Sequence, residues 1–137
     1  MMMVTPILLL ILAGIFDFGF LFRSWQVVTN AAREGARVGV LPSYSCEEAT
    51  PDDVQQRVDM YMSASGFSDP SAYVVSMDER QVAIGTETLT ACAVRVEMDQ
   101  SLVSLSVFGQ FFGPGFGTVP VVALAEMRSE SQVAAAP

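Results

Sequence analysis

The chain has 137 residues, with 7 arginines, no lysine, no histidine and 15 acids, for a net charge of −8. An acidic surface of that kind repels nucleic acid and anionic headgroups, so no nucleic-acid partner is expected. Without histidine, and with the Gly113–Gly117 segment set among Phe and Pro and followed by no Lys, no catalytic or phosphate-binding constellation is visible, so neither an enzymatic activity nor a cofactor is expected.

Val4 to Phe22 is an almost unbroken apolar run in which only Thr5 and Asp17 are clearly polar. Nineteen helical residues rise about 28 Å, against a hydrocarbon core of roughly 30 Å, so one membrane span fits. A cleaved secretory signal fits poorly. No basic region precedes Val4, and Phe16-Asp17-Phe18-Gly19-Phe20 is unlike a small-residue cleavage site. Asp17 asks for an account, because a carboxylate in hydrocarbon is costly and marks a partner, a water-filled site or a snorkelling contact. It either reaches the interface or stays protonated, or it touches another subunit or the assembly machinery. Gly14 and Gly19 reduce the bulk of the helix beside it and favour the second reading.

Helix continues past the apolar run to Val40. Ala31, Gly35 and Gly39 recur every four residues, next to a second stripe of Val28, Ala32, Ala36 and Val40. Each glycine costs about 1 kcal/mol inside a helix, so the small stripe predicts close packing against another backbone or the protein's own sheet. Arg33 and Arg37 share another face, with Glu34 a weak partner for Arg37.

Leu41 to Tyr44 reads as the exit from the long helix. A second helix is predicted from Thr50 as N-cap and Pro51 at the first position to Ser65, with Asp52 and Asp53 in its first turn and Gly66 ending it. Val54, Val58, Tyr61 and Met62 form its apolar stripe. Tyr73–Met77 and Gln81–Gly85 read as two short strands joined at Asp78-Glu79-Arg80. Ala91–Asp99 alternates cleanly, Cys92, Val94, Val96 and Met98 against Ala93, Arg95, Glu97 and Asp99. Leu102–Phe112 favours a short helix, and Val119–Met127 a last strand whose Pro120 suits an edge. Ser129–Pro137 reads as a frayed end. The acidic pairs Glu47-Glu48, Asp52-Asp53 and Asp78-Glu79 have the ordinary look of a solvated face; spacing alone shows no convergent metal-ligand set.

The fold class predicted is α+β: a long N-terminal membrane-spanning helix with its stalk, residues 1–40, followed by a small domain, 41–137, with an antiparallel sheet and one or two short helices. Charge divides along the same line. Residues 1–40 carry Arg23, Arg33 and Arg37 against Asp17 and Glu34, net +1, and the rest of the chain is net −9. The positive-inside rule alone would put the three flanking arginines in the cytoplasm. Cys46 and Cys92, the two cysteines, lack the spacing of a zinc or redox motif. They are either two buried free thiols or, in an oxidising compartment, a bridge that would contribute about 4 kcal/mol.

Three segments together, the proline-led run from Pro6, the Asp17-Phe18-Gly19 step and Asn30-Ala31-Ala32-Arg33-Glu34-Gly35-Ala36-Arg37, resemble the TadE-like minor pilins of tight-adherence (Flp-type) pili. The closing Ala125–Glu130 is similar to the family's ending. The resemblance implies a pilin-like fold and a structural role, in which a prepilin peptidase removes a basic leader and the helix stays in the membrane or filament core. It also implies an extracytoplasmic C-terminal domain, where Cys46 and Cys92 would be joined. Its implied partners are other pilin or pseudopilin subunits, the inner-membrane assembly machinery and the lipid bilayer. Aligned on Pro6, the family's processing Glu would fall just before Met1. A start placed too far downstream is therefore expected, and would explain a span flanked by basic residues on one side only. The alternative function is a membrane-anchored accessory or sensory binding module that never enters a filament.

Overall fold

A computed structural model of the chain describes residues 4–41, 52–102, 104, 106 and 117–128. The α+β plan expected from the sequence is the one observed. Helix α1 runs Val4–Gly39, α2 Asp52–Ala64, a short 3₁₀ turn Pro70–Ala72, then strands β1 Tyr73–Ile84, β2 Glu87–Ser101 and β3 Thr118–Arg128. The strands form one antiparallel sheet in the order β1-β2-β3, so β2 is central and β3 is an edge.

The two halves of α1 meet different surroundings. From Val4 to Phe16 every side chain but that of Ala13 is exposed, although the sequence there is apolar. From Ser24 on, one face is buried at Ser24, Val28, Ala31, Ala32, Gly35, Ala36 and Gly39. Those positions step by three and four, so they stack on one side of the helix. That side lies on α2 and on the inner face of the sheet, and the core forms where the three meet.

Helix α2 buries Val54, Val58 and Met62 from successive turns, with Asp52 and Asp53 in its first turn where the helix dipole favours acids. Its C-terminus closes in a Schellman arrangement: the Phe67 N–H bonds to the Met62 carbonyl at 2.9 Å and the Gly66 N–H to Ser63 at 3.1 Å. Gly66 takes φ +97°, a conformation that side chains resist. Asp69 then caps the 3₁₀ turn by accepting from the Ser71 N–H at 2.9 Å and its hydroxyl at 2.7 Å, bonds that hold the Asp69 carboxyl below its ordinary range.

The inner face of the sheet is a grid of cross-strand rows: Tyr73–Met98–Val121, Val75–Val96–Ala123 and Met77–Val94–Ala125. The alternation of β2 thus holds across its neighbours, with alanines on β3 where α1 crosses. On the outer, wet face Arg80 pairs with Glu126 at 2.9 Å and Arg95 with Glu97.

One sequence expectation is corrected. Asp78-Glu79-Arg80 is no turn but lies inside β1, paired with Ala93, Cys92 and Ala91. Residues 78–83 are exposed, and solvent accepts their charges without a break in the ladder. The turn comes at Gly85-Thr86, where Gly85 adopts φ +66° at the first of two loop positions, as in type II′ hairpins. In the expected helix from Leu102, Ser104 and Ser106 have helical geometry, and the Ser106 N–H bonds to the Leu102 carbonyl at 3.0 Å. The rest of that segment, the Thr50-Pro51 start of α2 and Ser129–Pro137 lie outside the described residues.

Candidate functional site

The residues singled out from the sequence fall into two groups on α1. Gly14 and Gly19 belong to the exposed half: a Cβ added at either would meet no atom of the chain within 4 Å. Gly35 and Gly39 belong to the packed half. A Cβ at Gly35 would lie 2.9 Å from Val58 Cγ2 and 3.2 Å from Val94 Cγ1, and one at Gly39 would lie 3.0 Å from the Met77 sulfur. Ala31 is fully buried in the same stripe. The small residues therefore let α1 approach α2 and the sheet of its own chain.

Asp17 is 8% exposed, despite its place in the apolar run. Its carboxylate accepts the backbone N–H of Ser104 at 2.5 Å, across 87 positions of sequence. The bond ties the middle of α1 to the segment that follows β2. Asp17 and Gly35 are 18 residues apart, five full turns, so the carboxylate stands on the same face of α1 as the packed glycine.

Two further ties fix the height of the domain along the helix. The Ser24 hydroxyl donates to the Gln100 side-chain oxygen at 2.8 Å, and Arg23 Nη2 donates to the Ser65 carbonyl at 3.1 Å. Neither Ser24 nor Gln100 was singled out from the sequence. The signal was available: stepping back from Gly35 and Ala31 by alternate threes and fours reaches Val28, Ser24, Leu21 and Asp17, and a polar residue on a buried stripe needs a partner. Among the described residues every buried side-chain nitrogen or oxygen has one.

Elsewhere, Tyr73 donates to Asp59 at 2.7 Å, joining β1 to α2, and burial foremost, then Asp59, pushes the Tyr73 hydroxyl well above its ordinary range. Glu34 bonds Arg57 of α2 at 3.2 Å as well as Arg37 at 3.5 Å, a surface network worth no more than about 1 kcal/mol. Cys92 is fully buried, with Sγ 3.7 Å from the Gly39 carbonyl oxygen; Cys46 lies outside the described residues. No group of three or more His, Cys, Asp or Glu side chains converges as a metal site among the described residues.

Beside the ties, Phe18, Leu21, Phe22 and Trp25 of α1 face Val119–Val122 of β3 across an open apolar groove of about 400 Å³. The Phe22 and Trp25 rings stack with centroids 6.1 Å apart. Below the groove the exposed surface of α1 is apolar except at Thr5, and the helix is long and apolar enough to cross a membrane.

That helix is also where known proteins enter. Residues 1–37 match the family model of the TadE-like proteins. No curated protein and no solved structure matches the chain. The TadE-like segment covers the exposed half of α1, Asp17 and the packed stripe through Gly35, and stops two residues short of the helix end. The match suggests involvement in tight-adherence pili, and the apolar helix within it fits anchoring by a single membrane pass. The sheet and α2 lie wholly beyond it.

Proposed function

We propose that the chain is a structural minor pilin or pseudopilin that supports assembly of a tight-adherence pilus. The observation that carries this reading is the coincidence of the TadE-like segment with a helix whose first half is apolar and uncovered. A surface such as Ile7, Leu8, Leu9, Ile11, Ile15 and Phe16 is stable only in lipid or among the helices of other subunits. In this reading residues 1–40 are span and stalk, and 41–137 face the extracytoplasmic side with pilin subunits and the inner-membrane assembly machinery as partners. Deleting the gene should leave cells with few or no surface pili. Normal piliation with no compensating paralogue would remove the proposal.

The accessory or sensory module remains the competing role. Asp17 gives it little support, since the carboxylate is engaged within its own chain and does not require a partner protein. Cross-linking from the exposed residues of α1 separates the two roles: recovery with pilin subunits supports the pilin role, and recovery with one membrane partner alone supports the module.

A Cys46–Cys92 bridge belongs to the extracytoplasmic reading. Cys46 follows Gly39 by seven residues, and an extended chain covers about 3.3–3.6 Å per residue, ample reach to a sulfur that lies beside the Gly39 carbonyl. The bridge would tie the segment after the stalk to the central strand. Complete thiol labelling of both cysteines in the unreduced, denatured chain would exclude it. Protection of a tag placed after Pro137 from external protease in outer-membrane-permeabilised cells would exclude the topology.

A further inference from the structure

The three ties between α1 and the domain also set how deep the domain reaches along the span. Arg23 is the first cation after the apolar run, so it marks the water side of a helix that crosses a bilayer. Its guanidinium is bonded to Ser65, and one residue on, Ser24 holds Gln100 near the end of β2. Asp17 is six residues nearer the membrane, about 9 Å down the helix axis, and there it holds Ser104. The domain therefore does not stop at the level of Arg23. It follows the helix down past the point where the sequence turns apolar.

The groove lies over that same interval. Its helix wall, Phe18 to Trp25, spans the levels from Asp17 to just above Arg23, and its other wall is the start of β3, Val119–Val122. Among the described residues no charged side chain lines it. One and two turns below Phe18 the same face of α1 carries Ile15 and Ile11, both exposed, so the groove is continuous with apolar surface that the bilayer would cover. At its upper end sit Trp25 and Phe22, an aromatic pair of the kind found at headgroup level. Pro120, exposed at the start of the edge strand, lacks the N–H that would otherwise need a partner there.

We infer that the groove between α1 and the start of β3 is a lipid seat, filled by the ester-proximal part of an acyl chain from the leaflet that Arg23 faces, so that the lower end of the domain is sunk in the membrane. The occupant is lipid because the groove shares its apolar surface with the span and begins where headgroups begin. The bond from Ser104 to Asp17 then serves the same arrangement: it satisfies a carboxylate and an N–H at a depth where water is scarce. This rests on the reading that Val4–Phe22 crosses a bilayer.

The test uses tryptophan emission from the full chain reconstituted in phosphatidylcholine vesicles, since Trp25 is its single tryptophan. The lipids carry bromine either near the ester end or near the methyl end of the acyl chain, and aqueous iodide reports water. Trp25, and the tryptophan placed by Val122→Trp in a Trp25→Phe background, should lose more emission to ester-proximal bromine than to either other quencher. Leu10→Trp in the same background reports the span itself. If Leu10→Trp is quenched by bromine while Trp25 and Val122→Trp respond only to iodide, the seat is refuted and the span stands. If Leu10→Trp responds only to iodide, the span reading fails and the seat fails with it. Emission at Trp25 shielded from both quenchers, and opened to iodide or bromine on dilution of protein in lipid, would place a second copy in the groove and overturn the assignment. If Val122→Trp does not fold, Val119→Trp on the same wall of the groove, in the same background, takes its place.

Discussion

Gly35 of α1 lies against Val58 of α2 so closely that a single added methyl group would stand 2.9 Å from Val58 Cγ2, with Val94 of the central strand 3.2 Å away on another side. Both valines are fully buried and branched at Cβ, so neither can swing aside cheaply. Two effects of a larger residue here have opposite signs. Leaving glycine favours helix by roughly 0.5–1 kcal/mol, while overfilling a packed contact costs about 1–3 kcal/mol. Gly35→Leu should therefore lower the unfolding free energy in detergent by about 1–3 kcal/mol. A stability at or above that of the native chain would mean that helix propensity wins and that the contact is looser than it looks.

Gly14 and Gly19 give the matched control. With no atom of the chain within 4 Å of an added Cβ, Gly14→Leu and Gly19→Leu should not lower the unfolding free energy, and can raise it by up to about 1 kcal/mol, the gain in helix propensity alone. Pilus yield, counted on cells carrying the variants, should fall if other subunits use this face. Unchanged yield would assign the face to lipid.

For Asp17 the comparison is between a lost acceptor and a weakened one. Asp17→Leu removes the acceptor from the Ser104 N–H and should cost about 1–3 kcal/mol locally, while Asp17→Asn keeps an oxygen and should cost less. Hydrogen exchange at the Ser104 amide in micelles reads this directly. Exchange should speed up strongly in the first variant and modestly in the second. Native protection in both would show that the bond is not what holds this segment to the helix.

Tyr73 makes the fold sensitive to alkali. Its hydroxyl ionises above the ordinary tyrosine range in the folded chain, chiefly because it is buried and also because it donates to Asp59. The unfolded chain therefore loses this proton first. The contribution is complete below about pH 10 and declines as pH rises beyond it. Tyr73→Phe should cost about 1 kcal/mol near neutrality and flatten the decline above about pH 10. The chain has no lysine, so amine side chains do not crowd that range. Parallel melting curves for native and variant chains across it would contradict the assignment.

Much of the fold could be read from periodicity. The 36-residue α1, the Val54–Val58–Met62 stripe of α2 and the alternation of β2 each repeat often enough to outweigh any single residue. Asp78-Glu79-Arg80 misled because a charged triplet on a solvated strand has the composition of a turn, and strand continuity there is decided by pairing with residues 91–93. The stripe of Ala31, Gly35 and Gly39 was visible, but small residues look the same whether the approaching backbone is the chain's own or a neighbour's. Asp17 stood out as costly, yet its partner is 87 positions away on a segment with weak periodicity. Contacts of that range leave no mark in local spacing.

The sharing of α1 between membrane and core has a consequence for biosynthesis. The helix is translated before the sheet, and β3, which packs directly on it, is the last described strand. While the ribosome is still adding the residues between them, the stripe from Val28 to Gly39 has no sheet to lie on, although the span ahead of it can already enter the bilayer. The nascent chain thus passes through a stage in which it is anchored but has no closed core, and unshielded apolar surface at that stage invites aggregation. A cell making this protein would need to shelter a half-finished polypeptide at the membrane until β3 emerges, and the rate of chain elongation past β2 would govern how much of it survives.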